Sequence, residues 1–239
     1  ILTPDDVKWA VLSLEAVEPI ADEIIIIEDG KSPEKLKILD KFIDGREKFK
    51  VIHCPYKGNN GLQYQEILKY ATGDWLLIID ADEIVDDNAH LLREYMEKDK
   101  EVYSIRMEHC IYNLATLDAT EAGGPKYNPD YTHHVPRRFF RLKKGIYFPP
   151  LEHAVIQGFT EEQHGFIDDV VIWHYGRAKA MMEIKEKYEM NLKRSRMHSK
   201  EFLDWWHKAF LLGTYPVKRL ENLERHPSVI RREFNIGLL

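Results

Sequence analysis

The chain holds 239 residues, 40 of them acidic and 34 basic, for a formal net charge of -6. With 44% hydrophobic residues it is too apolar for a disordered chain, and it is long enough to bury a large core without staples. The acidic balance argues against a general phosphate-backbone binder, so no nucleic-acid partner is expected.

Thr3-Pro4-Asp5-Asp6 reads as a helix start, with a capping hydroxyl, a proline at the first helical position and acids at the positive end of the dipole. Val7, Ala10, Val11, Leu14 and Val17 then recur at helical spacing. Glu23 to Ile27 is a β-branched run without polar alternation, so it reads as a strand buried on both faces, as in a parallel sheet. It ends in Glu28-Asp29-Gly30. A helix is expected from Ser32, a short strand at Phe49 to Ile52, a turn at Asn59-Asn60-Gly61 and a helix from Leu62 to Ala71. Trp75 to Ile79 is the strongest strand signal, and it runs into Asp80-Ala81-Asp82-Glu83. A helix from Asp86 to about Lys98 and a strand from Val102 to Met107 complete the first half.

This alternation predicts an α/β fold, doubly wound, with a mostly parallel central sheet flanked by helices. Ligands of such sheets sit at the carboxyl ends of the strands, where Glu28-Asp29 and Asp80–Asp82 both fall. A strand is also expected before residue 3, with Ile1-Leu2 as its remnant and residues missing upstream.

The second half differs. Asn113 to His134, with paired glycines and two prolines, reads as a long functional loop that closes over a ligand. Strand-like stretches follow at Arg138–Leu142, Ile146–Phe148, Ala154–Ile156 and Val170–His174. From about Ala178 the pattern is helical, and the piece after Tyr215 reads as a short helical tail. The domain boundary is therefore placed at 176, with residues 177–239 as a helical C-terminal region.

Two cysteines, Cys54 and Cys110, make no disulfide framework, and no C-x-x-C is present for zinc. No apolar run approaches the roughly 18 residues of a membrane span, and Ile1-Leu2-Thr3-Pro4 does not resemble a signal peptide. The expected location is cytoplasmic. The Trp205-Trp206 pair, on a basic helical stretch, packs in the core or, as the alternative, docks on a membrane surface or a lipid-linked acceptor.

Asp80 and Asp82 lie two residues apart. In an extended segment their carboxylates would project to one side, a pattern that suits a hard divalent cation shared with a substrate's phosphates. Gly73-Asp74-Trp75-Leu76-Leu77-Ile78-Ile79-Asp80-Ala81-Asp82-Glu83 resembles a signature of family 2 glycosyltransferases, enzymes of the GT-A fold. Ile20-Ala21-Asp22-Glu23 leading through Ile24–Ile27 to Glu28-Asp29-Gly30 is similar to a second segment of that family. Arg138-Phe139-Phe140-Arg141, Leu151-Glu152-His153 and Trp173-His174-Tyr175-Gly176 extend the resemblance more weakly.

The resemblance implies a nucleotide-diphosphate sugar as donor, a divalent cation (Mn or Mg) as cofactor, and a saccharide, lipid-linked or protein acceptor. It gives Asp29 a contact to the base or ribose. Asp80 would bind ribose or reach the metal through water, and Asp82 would ligate the metal. His174 is a candidate third ligand, although a lone His at a strand end is more commonly structural. Glu152 is the first candidate for the base that takes the acceptor proton, with Asp169 behind it. His153, Lys57 and Arg138 are candidate contacts to the donor's diphosphate. The chain departs from the family in carrying Tyr64-Gln65 where Arg-Asn is usual, Glu28 for the first Asp of the nucleotide pair, and Glu152-His153 in reversed order. Two other functions fit parts of the pattern. A non-catalytic nucleotide-sugar binder fits the departures. An aspartyl phosphotransferase would also use D-x-D after a buried strand, but it wants a hydroxyl where Ile84 stands.

Overall fold

The computed structural model describes residues 7–28, 33–118, 137–151, 154–178, 213 and 217–237. Helix α1 (Val7–Val17) is followed by β1 (Ile24–Glu28), α2 (Pro33–Ile43), β2 (Phe49–His53) and α3 (Asn60–Ile67). Strands β3 (Trp75–Leu77) and β4 (Glu83–Val85) flank the acidic segment, and a short 3-10 turn and α4 (Leu92–Met96) follow. Next come β5 (Val102–Ile111), β6 (Thr116–Asp118), β7 (Arg137–Arg141), β8 (His164–Arg177), β9 (Val217–Arg219) and α5 (Ser228–Glu233).

The α/β class is as expected, but the pairing is not mostly parallel. Among the described residues β1 pairs parallel with β2, and β5 with β8. The pairs β3–β7, β5–β7, β4–β8, β5–β6 and β6–β9 are antiparallel. An unbroken apolar run reports burial on both faces and carries no information about strand direction, so the Ile24–Ile27 signal did not extend to the strands after it.

Strand β8 organises the molecule, because it pairs with both β4 and β5. Its side chains alternate between two faces. Val171, Trp173 and Tyr175 enter one cluster with Leu12 of α1, Ile84, Cys110, Leu117, Leu220 and Ile230. Ile167, Val170 and Ile172 enter another with Tyr103, Ile105, Phe139 and Val85. The β5–β8 register shifts at Ile105/Arg106, and Asp168 and Asp169 bulge out there as exposed residues.

The C-terminal piece belongs to this core. Trp9 of α1 stacks on Tyr175 at 4.8 Å, and the Tyr175 hydroxyl meets His226 Nδ1 at 2.9 Å. His226 Nε2 lies 2.9 Å from the Leu114 carbonyl, so this buried ring bridges two segments. The expected helical tail begins instead as strand β9 on β6. The helical pattern expected from about Ala178, Trp205 and Trp206 included, falls mostly outside the described residues, as do Ile1-Leu2 and most of the Asn113–His134 loop. Other boundaries moved as well. The expected helix at 86–98 is a 3-10 turn joined to one α-helical turn, and the 146–148 and 154–156 stretches contribute only a Tyr147–Gln157 bridge. No helix among the described residues is long and apolar enough to cross a membrane.

Candidate active site

The site forms where β3 ends and β4 begins. Beyond Leu77 the ladder to β7 continues through Ile78 N–H to the Arg138 carbonyl at 2.8 Å. The backbone then turns. Glu83 N–H donates to the Asp80 carbonyl at 3.0 Å, and Asp80 N–H donates to Glu83 Oε2 at 2.9 Å. Asp80 and Asp82 are therefore not two steps along an extended strand, as their spacing suggested. The turn sends their carboxylates to different partners.

Asp80 faces helix α3 and strand β7. Tyr64 donates its hydroxyl to Asp80 Oδ1 at 2.8 Å. Arg138 donates to Asp80 Oδ2 at 3.2 Å and to Glu83 Oε1 at 2.6 Å. Arg138 is buried, at 8% exposure, and Glu83 more so, at 2%. The two carboxylates surround one guanidinium, and the electrostatics follow. Burial pushes Glu83 up to about 7, against the pull of Arg138. Burial acts the same way on Asp80, but opposing effects, the Arg138 charge largest among them and the Tyr64 hydrogen bond included, hold this carboxyl below its ordinary value. Burial, aided by Asp80, raises Tyr64 well above the usual phenol range, so its hydroxyl stays a donor.

Asp82 turns toward β8. Its backbone carbonyl accepts from Tyr175 N–H at 2.8 Å, and its Oδ1 stands 3.6 Å from His174 Nε2. Gly176 completes this corner. A Cβ on Gly176 would lie 2.3 Å from Asp82 Oδ2 and 2.6 Å from His174 Nε2. Glycine at 176 therefore lets a carboxylate oxygen and an imidazole nitrogen approach the strand where any side chain would collide with both. Among the described residues no group of three or more His, Cys, Asp or Glu is placed to hold a metal.

Behind His174 lies a residue that sequence reasoning missed. His109 of β5 is paired in register with His174 of β8, and their Nδ1 atoms are 2.8 Å apart. Burial first, then the nearby charges of His174, Arg177 and Arg138, hold His109 well below the ordinary imidazole value. The strand was expected to end at Met107, and the continuing alternation Tyr103, Ile105, Met107, His109 was the signal that could have found this residue.

The other candidates are dispersed. Asp169 sits on the β8 bulge, five residues before His174, where Tyr95 donates to its Oδ1 at 2.9 Å. At about 3.3 Å per residue this is on the order of 15 Å from the Asp82 corner. Lys57 is an exposed residue of the connection from β2 to α3. Glu28 ends β1 as a buried carboxylate held by His53 Nδ1 at 2.8 Å. Asp29, Glu152 and His153 lie outside the described residues. The segment just before Glu152 is well placed, however. Gly61 N–H of α3 donates to the Leu151 carbonyl at 3.0 Å, and a Cβ on Gly61 would lie 1.9 Å from the Pro149 carbonyl oxygen. Gln65 Oε1 accepts from Phe148 N–H at 2.7 Å. The pair Tyr64-Gln65 is thus spent on Asp80 and on this segment.

The profile of Glycosyl transferase family 2 matches residues 4–151. A protein described as glycosyltransferase GlyG, from Streptococcus pneumoniae serotype 4 (strain ATCC BAA-334 / TIGR4), is 30% identical over 127 residues. That match covers 44% of this chain and 42% of the relative, so the chain spans less than half of that protein's length. Among solved structures, S. aureus TarS 1-349 is similar with a TM-score of 0.47 and 17% identity over 86% of this chain and 68% of that one. Its complex with UDP-GlcNAc gives a TM-score of 0.43 and 16% identity over 79% and 62%.

Proposed function

The chain belongs to glycosyl transferase family 2, and from that membership we propose that it moves a sugar from a nucleotide-diphosphate donor to an acceptor hydroxyl, with inversion and with a divalent cation at Asp82 and His174. The observation that carries the cation site is the corner itself: Asp82 Oδ1 and His174 Nε2 stand 3.6 Å apart, and the missing side chain at Gly176 lets both come that close to the strand.

The donor set suits the ion. Asp82 and His174 would hold it through one carboxylate oxygen and one imidazole nitrogen, a pair that fits Mn better than a purely oxygen-seeking cation. The ion would supply positive charge against the charge that builds on the departing diphosphate.

The remaining roles belong to the chain's own residues. Asp29, directly after buried Glu28 at the end of β1, contacts the base or ribose. Asp80 is fixed by Tyr64 and Arg138 and offers its remaining lone pairs to the ribose. Arg138 acts as counter-ion of the Asp80–Glu83 pair, not as a diphosphate ligand, because its guanidinium is already engaged and buried. That leaves Lys57 and His153 for the diphosphate. Glu152 takes the proton from the acceptor hydroxyl as its oxygen attacks the anomeric carbon and the bond to diphosphate breaks. Asp169 has no part in this scheme, since its carboxylate is bonded to Tyr95 away from the corner.

A thermal-shift screen of UDP-, GDP- and dTDP-sugars with and without Mn2+ tests the donor half. A sugar nucleotide that stabilises the protein only with Mn2+, and no longer does so in Asp82→Ala, supports the proposal. Equal binding by Asp82→Ala in calorimetry would remove the cation site. Donor binding with no turnover for any acceptor would favour a non-catalytic binder.

A further inference from the structure

Two imidazoles lie on neighbouring stripes of the β5–β8 ladder. On β5 the stripe runs Tyr103, Ile105, Met107, His109, and on β8 it runs Val170, Ile172, His174, Gly176. The register sets His109 beside His174. Their rings are nearly perpendicular, with centroids 4.9 Å apart and Nδ1 atoms at 2.8 Å. Two ring nitrogens at that distance share one proton, so one ring donates and the other accepts.

The other nitrogen of His174 points away from His109. Nε2 lies 3.6 Å from Asp82 Oδ1, longer than an N–H···O hydrogen bond, and so close to Gly176 that a Cβ there would stand 2.6 Å from it. A neutral imidazole that gives Nε2 to a cation carries its proton on Nδ1, and the partner of that N–H fixes both tautomer and ring angle. We propose that His109 is the positioning residue of His174: it accepts the Nδ1 proton of His174 and so keeps Nε2 bare and aimed at the Asp82 corner. The inference rests on the Asp82–His174 cation site proposed above and adds to it the residue that sets its geometry.

The test uses the whole chain. Long-range proton–nitrogen spectra of the histidine rings, with saturating Zn2+ as the diamagnetic probe, should show His174 protonated at Nδ1. Calorimetry with Mn2+ alone should show His109→Phe, which keeps the ring and loses the acceptor, weakened by about tenfold or more, the usual scale for a lost partner of a metal-bound His. His109→Asn, whose Oδ1 takes the place of Nδ1 as acceptor, should bind within about threefold of the parent protein, a much smaller loss than the usual tenfold. A His174 protonated at Nε2 in the Zn2+-loaded protein would overturn the proposal, and this spectrum needs no variant to fold. Mn2+ binding by folded His109→Phe equal to that of the parent would overturn it as well. Asp82→Ala and His174→Ala separate the two levels. If both still bind Mn2+ like the parent protein, the cation site fails and the role of His109 fails with it. If both lose Mn2+ while His109→Phe does not, only the role of His109 fails.

Discussion

Tyr64 donates its hydroxyl to Asp80 Oδ1 at 2.8 Å from the buried side of α3, and its ring packs 5.2 Å from that of Phe148. Tyr64→Phe keeps the ring and removes only this bond. A hydrogen bond to a charged acceptor contributes about 1.5–3 kcal/mol, so Tyr64→Phe should lower unfolding stability by about that much. Its donor affinity should also fall, because Asp80 loses one of its two anchors. Urea denaturation and donor calorimetry read the two effects, and unchanged values in both would show that the bond has no role.

Arg138 separates two carboxylates that are buried with it. Removing one partner of a buried ion pair costs about 3–5 kcal/mol, because the charge left behind has no compensation. Arg138→Leu should lose stability on that scale. The double variant Arg138→Leu, Glu83→Leu should recover part of it, and a double-mutant cycle in urea measures the coupling. A double variant no more stable than Arg138→Leu alone would contradict the pairing.

Gly176 has an ordinary strand backbone, so alanine there meets no conformational penalty. The added methyl would instead collide with Asp82 Oδ2 and His174 Nε2 and force them to shift. Gly176→Ala should reduce Mn2+ affinity by an order of magnitude or more, on the scale of a lost metal-site contact. Its far-ultraviolet circular dichroism should be unchanged. Parental Mn2+ affinity in this variant would show that the close approach of Asp82 and His174 at Gly176 does not hold the cation.

Asp86 opens the 3-10 turn after β4, and burial raises its carboxyl to about 6 despite the hydrogen bond from Asn88 N–H at 3.2 Å. The folded value lies above the unfolded value, so the folded protein binds the proton more tightly. That contribution is fully present below about pH 4 and is lost as pH rises through 6. Asp86→Asn still caps the turn but cannot ionise. It should flatten the fall of stability between those pH values by on the order of 1 kcal/mol, a figure reduced for the partial exposure of the group. Glu83, raised to about 7, gives a fall of the same sign toward neutrality that persists in the variant. Chemical denaturation at several pH values checks the slope, and parallel profiles would rule out Asp86 as its source.

Much of this was legible in the chain because of periodicity. Ile24–Ile27 and Trp75–Leu77 announced their strands through unbroken apolar runs, and the acids after them fell at the expected strand ends. What could not be read was partnership. Nothing local says that Glu83 is opposite His174, that Tyr64 reaches Asp80, or that Arg138 is enclosed by two acids. These depend on register between segments tens of residues apart. Asp82 and His174 were named from their motifs and Gly176 only as part of one, but their closeness in space needed the β4–β8 ladder. Asp169 shows the converse: an acid pair before a strand looked available, and the bulge that exposes it also carries it away from the corner. His109 was lost to a strand boundary set four residues too early.

The 14 residues of β8 also determine where this chain tolerates a change of length. One residue inserted or deleted between Val171 and His174 would exchange the two faces of the strand, sending an imidazole into the cluster around Trp173 and an indole toward Asp82. The bulge at Asp168–Asp169 is already out of step with β5 and opens to solvent. Insertions and deletions in this strand should therefore be accepted at the bulge and rejected beyond it, which makes these two surface acids the expansion joint of the sheet.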